Sequence, residues 1–225
     1  MIQTERQRRA YLEALGIDVW VPRDQPETAT NAVAAEASGH DLDWDALQAA
    51  VAGCTRCSLC ATRTQTVFGV GNPVAEWMII GEAPGAEEDR RGEPFVGRAG
   101  KLLDEMLRAV GQSRQTAFIA NILKCRPPNN RDPKPEESAA CRGYLDRQIE
   151  VVQPGIILAV GRIAAQLLLA SDAPVGRLRG SVHDLGGIPV VVTYHPAYLL
   201  RSPSQKRRAW DDLCLARRVA SGVQS

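Results

Sequence analysis

No stretch of these 225 residues approaches the roughly 18 uninterrupted apolar residues that a membrane-spanning helix needs, so a bilayer-embedded chain is not expected. The opening residues, MIQTERQRRA, are basic but run into no apolar segment, which points away from secretion and toward the cytoplasm. Internal repeats are missing as well, and with them collagen-like and other repeat architectures. Net charge is nearly absent, at +1, yet it is unevenly spread. Residues 1–120 hold 12 Lys and Arg against 17 Asp and Glu, whereas residues 121–225 hold 15 against 9. A basic half on an almost neutral chain suits a polyanion bound on one face, and equally an unevenly solvated surface.

What is present is ordinary for a globular protein. The chain is 44% apolar and 24% charged, which excludes global disorder. Its length suits one large domain or two small ones, burying about 70% of the unfolded surface. Six cysteines in a reducing compartment point to a metal site or catalysis before disulfides.

Three segments are expected. Residues 1–23 carry a short helix (4–15) and a motif around Trp20; residues 24–42 read as an Ala/Glu/Thr-rich linker; residues 43–225 form the main domain. There, apolar runs at 77–80, 117–120, 156–160 and 190–194 alternate with helical stripes at 98–110, 135–152, 161–170 and 203–219. Short strands that are apolar on both faces, alternating with helices, predict an α/β fold with a mostly parallel sheet between helices. Ligands bind such sheets beyond the carboxyl ends of the strands. Glu82, Asn121 and His195 follow three of those strands, so they are expected to converge on one pocket.

The residue types at that edge suggest chemistry. Gly81-Glu82-Ala83-Pro84-Gly85 is a tight turn followed by Glu87, Glu88 and Asp89, and this acidity argues against a phosphate there. Ala83, Pro84 and Gly85 suit close backbone approach to a planar, uncharged ligand. Phe95, between glycines, offers either a stacking face or core packing. Asn121 offers a donor and an acceptor for a nucleobase edge, or serves as a turn residue. Cys54-x2-Cys57 and the pair Cys125 and Cys141 form a thiolate set for zinc or an iron–sulfur cluster, although the second C-x2-C of a zinc ribbon is missing.

GEAPGAEED, GEPFVGRAGKLL, NILKCRPPNNRDPKPEE and HPAYLLR, in this order and with these cysteines, closely resemble the family four uracil-DNA glycosylases of bacteria and archaea. The resemblance spans about residues 54–215. It implies the glycosylase fold with a four-stranded parallel sheet, and a [4Fe–4S] cluster on Cys54, Cys57, Cys125 and Cys141. It also implies that uracil is flipped out of single- or double-stranded DNA and hydrolysed off, leaving an abasic site. Phe95 would stack on the base, Asn121 would bind its pairing edge, Glu88 would obstruct a thymine methyl, and His195 would contact O2. Glu82 would orient water or stabilise the cationic sugar; the better-known uracil glycosylases carry a water-activating aspartate just after this position, where this chain has Ala83.

The same resemblance places a duplex wedge at Leu199, with Leu200 as its neighbouring candidate, and phosphate contacts at Lys124, Arg126, Arg131, Arg179, Arg201 and Lys206-Arg207-Arg208. A monomer is expected. Residues 1–50 lie outside the resemblance and are either a docking segment for a partner protein or a flap over the core. Two rivals stand beside this reading. A covalent uracil-trapping relative would need a histidine in a basic insertion, which residues 124–137 lack. A non-catalytic metal module of the same fold would bind nucleic acid without releasing uracil.

Overall fold

The computed structural model describes residues 42–222; the expected helix at 4–15, the Trp20 motif and the linker as far as residue 41 lie outside them. The four apolar runs form the strands β2 (Trp77–Gly81), β3 (Ala117–Asn121), β4 (Ile156–Val160) and β6 (Ile188–Thr193). They pair in parallel in the order β3-β2-β4-β6. Two antiparallel edge strands extend this to six: β1 (Val70–Gly71) beside β3, and β5 (Val182–Leu185) beside β6. Neither edge strand has an apolar run to announce it. β1 is two residues long, and β5 alternates exposed and half-buried residues before a turn at Gly186 and Gly187, both at positive φ.

β2, β3 and β4 are buried throughout, yet their side chains still alternate between two cores. Met78, Ile80, Phe118, Ala120, Ile157 and Ala159 face one way. They meet α1 (Trp44–Ala52), α4 (Pro135–Val152) and α5 (Arg162–Leu169) through Leu47, Leu145 and Ala165. Trp77, Ile79, Ile119, Leu158 and Val191 face the other way. Their partners are Leu103 and Leu107 of α3 (Arg98–Ala109) and Leu213 and Ala216 of α8 (Lys206–Ala220). Among the described residues no helix is long and apolar enough to cross a membrane.

Three short helices lie in the connections. They are α2 (Ala86–Arg91), α6 (Val175–Leu178) and α7 (Pro196–Arg201), each too brief to show a periodic stripe. The residues 203–219 expected as one helix begin with a 3₁₀ turn, Pro203–Gln205, before α8.

Arg179 is part of this frame. It follows α6, and its Nε and Nη2 donate to the Asp212 carboxylate of α8 at 3.0 and 2.8 Å, while Nη2 also donates to the Arg208 carbonyl at 2.6 Å. The Asp212 side chain has 0% exposure and that of Arg179 15%, so this guanidinium neutralises a buried carboxylate and is not available to a phosphate, contrary to the expectation from sequence. Removing one partner of a buried pair strands the other charge. Arg179→Ala is therefore expected to lower the unfolding free energy by about 3 kcal/mol in a denaturant titration; an unchanged midpoint would contradict the pairing.

Candidate active site

The parallel register sets the site. Gly81 pairs with Asn121, Ile80 with Ala159, and Val160 with Thr193, so the four strands finish level. The turns beyond them enclose a cavity of about 480 Å³ lined by Glu82, Ala83, Pro84, Gly85, Glu88, Phe95, Asn121 and His195. The structure brings all eight residues expected of the base pocket and its chemistry to one place. It adds Pro127, Asn130, Asp132 and Tyr198, and it places Arg131 and Arg201 on the same lining.

His195 is the N-cap of α7. Its Nδ1 accepts the Ala197 backbone N–H at 3.1 Å, so the single proton of the neutral ring sits on Nε2. Burial, then the Arg201 charge, pushes the imidazole down to about 4 against the opposing Glu88. The ring is neutral at pH 7, with one N–H to give. Gly161, at the exit of β4, makes room for it, since a Cβ there would lie 3.0 Å from the His195 Cβ.

Glu82 shifts the other way. Burial, then the Asp132 carboxylate, pushes its carboxyl up to about 7, against the pull of Arg162. Asp132 is itself bonded to Arg162 Nη2 at 2.6 Å. Asp132 had no signal of its own in the sequence, because only the fold of the loop after β3 carries it to the cavity.

Asn121 is 2% exposed, and its Oδ1 finds no hydrogen-bond partner among the described residues. An unmet buried acceptor costs about 1–3 kcal/mol, so it is expected to meet a ligand donor. Phe95 takes the core-packing role considered for it, with its ring edge on the cavity. It is 6% exposed within the second core, and its ring stacks on His195 with centroids 5.7 Å apart and planes at 29°. Gly81 permits this crowding, because a Cβ there would come within 2.4 Å of Asn121 Oδ1 and 2.5 Å of Phe95 Cζ. Glu88 Oε1 accepts the Val96 and Gly97 amides at 3.1 and 3.2 Å, which fixes its carboxylate in the cavity wall.

Two further expectations about DNA contacts change. Lys124 is 1% exposed, and its ammonium donates to the Asn121 carbonyl at 2.7 Å and to Gln148 Oε1 at 2.6 Å. It braces the strand exit from inside and cannot meet a phosphate. Leu199 is 1% exposed within the second core, because α7 turns that face inward, whereas Leu200 and Tyr198 are 38% and 37% exposed. Of the two leucines, Leu200 is the exposed one. Arg126, half-buried, donates to Asn130 at 2.8 Å, while Arg201, Lys206, Arg207 and Arg208 are exposed.

None of the four cysteines expected as ligands is in a disulfide. Cys54 and Cys57 follow α1 and pack on the first core beside Cys125 and Cys141. The thiols act on one another: Cys57 and Cys141 on Cys125, and Cys54 and Cys57 on Cys141. Burial pushes the Cys125 thiol up to about 11, against the Arg63 guanidinium. Arg63, which no motif marked, donates to Cys125 Sγ at 3.0 Å and to the Cys54 carbonyl at 2.7 Å; the Lys124 amide donates to Cys141 Sγ at 3.4 Å. Among the described residues no three His, Cys, Asp or Glu side chains close on a point that one ion could occupy. Cysteine thiols with N–H donors at two of their sulfurs, Arg63 at Cys125 and the Lys124 amide at Cys141, have the donor chemistry of an iron–sulfur or zinc site.

Comparison with known proteins identifies the family. A family model described as the uracil DNA glycosylase superfamily matches residues 68–214, which include every residue of the cavity. The type-4 uracil-DNA glycosylase of Archaeoglobus fulgidus is 44% identical over 170 residues, covering 72% of this chain and 85% of that protein. Its namesake from Thermotoga maritima is 47% identical over 157 residues, 69% of this chain and 82% of the relative. That of Sulfurisphaera tokodaii is 41% identical over 179 residues, 76% of this chain and 81% of the relative.

Proposed function

The chain belongs to the uracil DNA glycosylase superfamily, and from that premise we propose how its residues carry out the reaction. It is a DNA repair glycosylase that removes uracil from DNA by hydrolysing the N-glycosidic bond. The observation that supports the assignment of roles is the convergence of a raised carboxyl, an unpaired buried amide and a neutral imidazole on one cavity.

The flipped nucleotide enters beside Phe95, and Asn121 Oδ1 accepts the uracil N3–H that a cytosine lacks. As the bond from C1′ to N1 breaks, its electron pair leaves with the base. His195 Nε2–H donates to O2 and stabilises that anion without giving up its proton. Water attacks C1′ and Glu82, as carboxylate, takes its proton. Glu88, held against the Val96 and Gly97 amides, closes the wall against a 5-methyl group. Arg126, Arg201 and Lys206 meet phosphates around the mouth, whereas the Arg131 fork is held by the buried Glu137 carboxylate, and Leu200 enters the stack. The enzyme works as a monomer in the cytoplasm, on single- or double-stranded DNA.

Cys54, Cys57, Cys125 and Cys141 would hold a [4Fe–4S] cluster, whose contribution is structural. It would tie the segment after α1 to both flanks of the loop 126–134, which lines the cavity with Pro127, Asn130, Arg131 and Asp132. Protein purified without oxygen should show the broad visible absorbance of such a cluster and about four iron atoms per chain; stoichiometric zinc in a colourless protein would overturn the assignment.

The deciding experiment is strand cleavage at abasic sites after incubation with uracil-containing oligonucleotides. His195→Ala should slow uracil release about a hundred- to a thousandfold, as for loss of one preset donor, while DNA affinity holds. Undiminished turnover would take His195 out of the mechanism.

The pH dependence separates the two groups. The Glu82 base is active when ionised, so kcat/KM should rise with pH through about 7. His195 titrates near 4 and adds no limb above pH 5. Asp132→Asn removes a nearby negative charge and should move the limb to lower pH; Arg162→Ala removes a positive one and should move it higher. A limb that stays put in both variants would show that another group titrates.

A further inference from the structure

Phe95 holds an unusual backbone. Five non-glycine residues among those described have positive φ: Phe95, Asn129, Asn130, Gln153 and Ala170. Asparagine tolerates the left-handed region, and Gln153 and Ala170 end helices, where that conformation is common. Phe95, at φ 54°, has neither reason. An aromatic residue stays in that well only when its surroundings hold it there.

The surroundings grip four consecutive backbone groups. Glu88 accepts the amides of Val96 and Gly97 from the cavity side. Arg114, in the turn before β3, donates Nη1 to the Pro94 carbonyl at 2.9 Å and Nη2 to the Phe95 carbonyl. Its Nε donates to Asp104 of α3 at 2.7 Å, so all three nitrogens of the guanidinium fork are committed. The Phe95 carbonyl is also pressed to α3 at Gly100, where a Cβ would stand 1.6 Å from its oxygen. Arg114 is not among the residues lining the cavity, and its side chain is 21% exposed on the far side of the wall.

We propose that Arg114 is a positioning residue for base recognition: its fork fixes the left-handed turn at Phe95 and thereby holds the phenyl ring in the cavity wall. This rests on the stacking role given to Phe95 above. A planar fork reaches two adjacent carbonyls and a carboxylate at once, which a lysine ammonium on a flexible stem does not reproduce. The alternative role is plain support of the turn between α3 and β3, in which case the effect of losing Arg114 would be indifferent to the residue at 95.

The test is a double-mutant cycle on the full chain, reading the single-turnover rate of uracil release, DNA affinity and thermal midpoint for Phe95→Ala, Arg114→Ala, Arg114→Lys and the double variants. Loss of one base–aromatic stack corresponds to about ten- to a hundredfold in rate. Arg114→Ala and Arg114→Lys should each slow release about tenfold or more with DNA affinity within about twofold, and each should add less than about twofold to Phe95→Ala. Equal factors in both backgrounds, or parental rates in Arg114→Ala, would overturn the proposal. Parental rates in Phe95→Ala would instead overturn the stacking role itself. If Arg114→Ala does not fold, Asp104→Asn, which frees one edge of the fork, should give a smaller loss that again vanishes in the Phe95→Ala background; persistence of that loss would count against the clamp.

Discussion

The pairing of Gly81 with Asn121 across β2 and β3, and of Val160 with Thr193 across β4 and β6, brings four strand exits level along one edge of the sheet. Each exit delivers one functional turn, and adjacent strands are only about 5 Å apart, so residues distant in sequence share one cavity. A one-residue slip of a strand would turn its inward residues outward, and both cores forbid that. The site is thus as rigid as the packing of Ile79, Leu158, Met78 and Ile157 beneath it.

Burial then acts on two ionisable groups in opposite senses. It raises the carboxyl of Glu82 and lowers the imidazole of His195, because in each case it penalises the charged form. The result is a cavity with little net charge of its own, whose remaining proton donors and acceptors are aimed by backbone contacts: the Ala197 amide at His195 Nδ1, and the Val96 and Gly97 amides at Glu88. Charge is left for the rim, where Arg201 and the start of α8 are exposed.

The loop after β3 links this site to the cysteines. One end carries Cys125. At the other, Glu137, 1% exposed, pairs with Arg131 at 2.6 and 2.8 Å and accepts the Lys134 amide at 2.9 Å at the head of α4, with Cys141 one turn on. Between them Asn129 and Asn130 take the left-handed conformation, which explains the paired asparagines. The loop that presents Asp132 and Arg131 is therefore restrained at both ends before any substrate arrives.

The sequence by itself determined the four inner strands, the longer helices, and the meeting of Glu82, Asn121 and His195. It could do so because apolar periodicity reports burial, and a parallel sheet sends every strand exit to the same edge. Edge strands β1 and β5 escaped it because they bury too little to need an apolar run. Side-chain direction was decided only by the tertiary structure. Lys124, Arg179 and Leu199 read as surface residues, but local spacing does not say which way a charged or apolar side chain turns once neighbouring elements supply Gln148, Asp212 or a core. For the same reason Arg63 and Arg114 carried no motif, and Asp132 lay in one without a role: their partners lie 62, 20 and 30 residues away, and only folding brings them together.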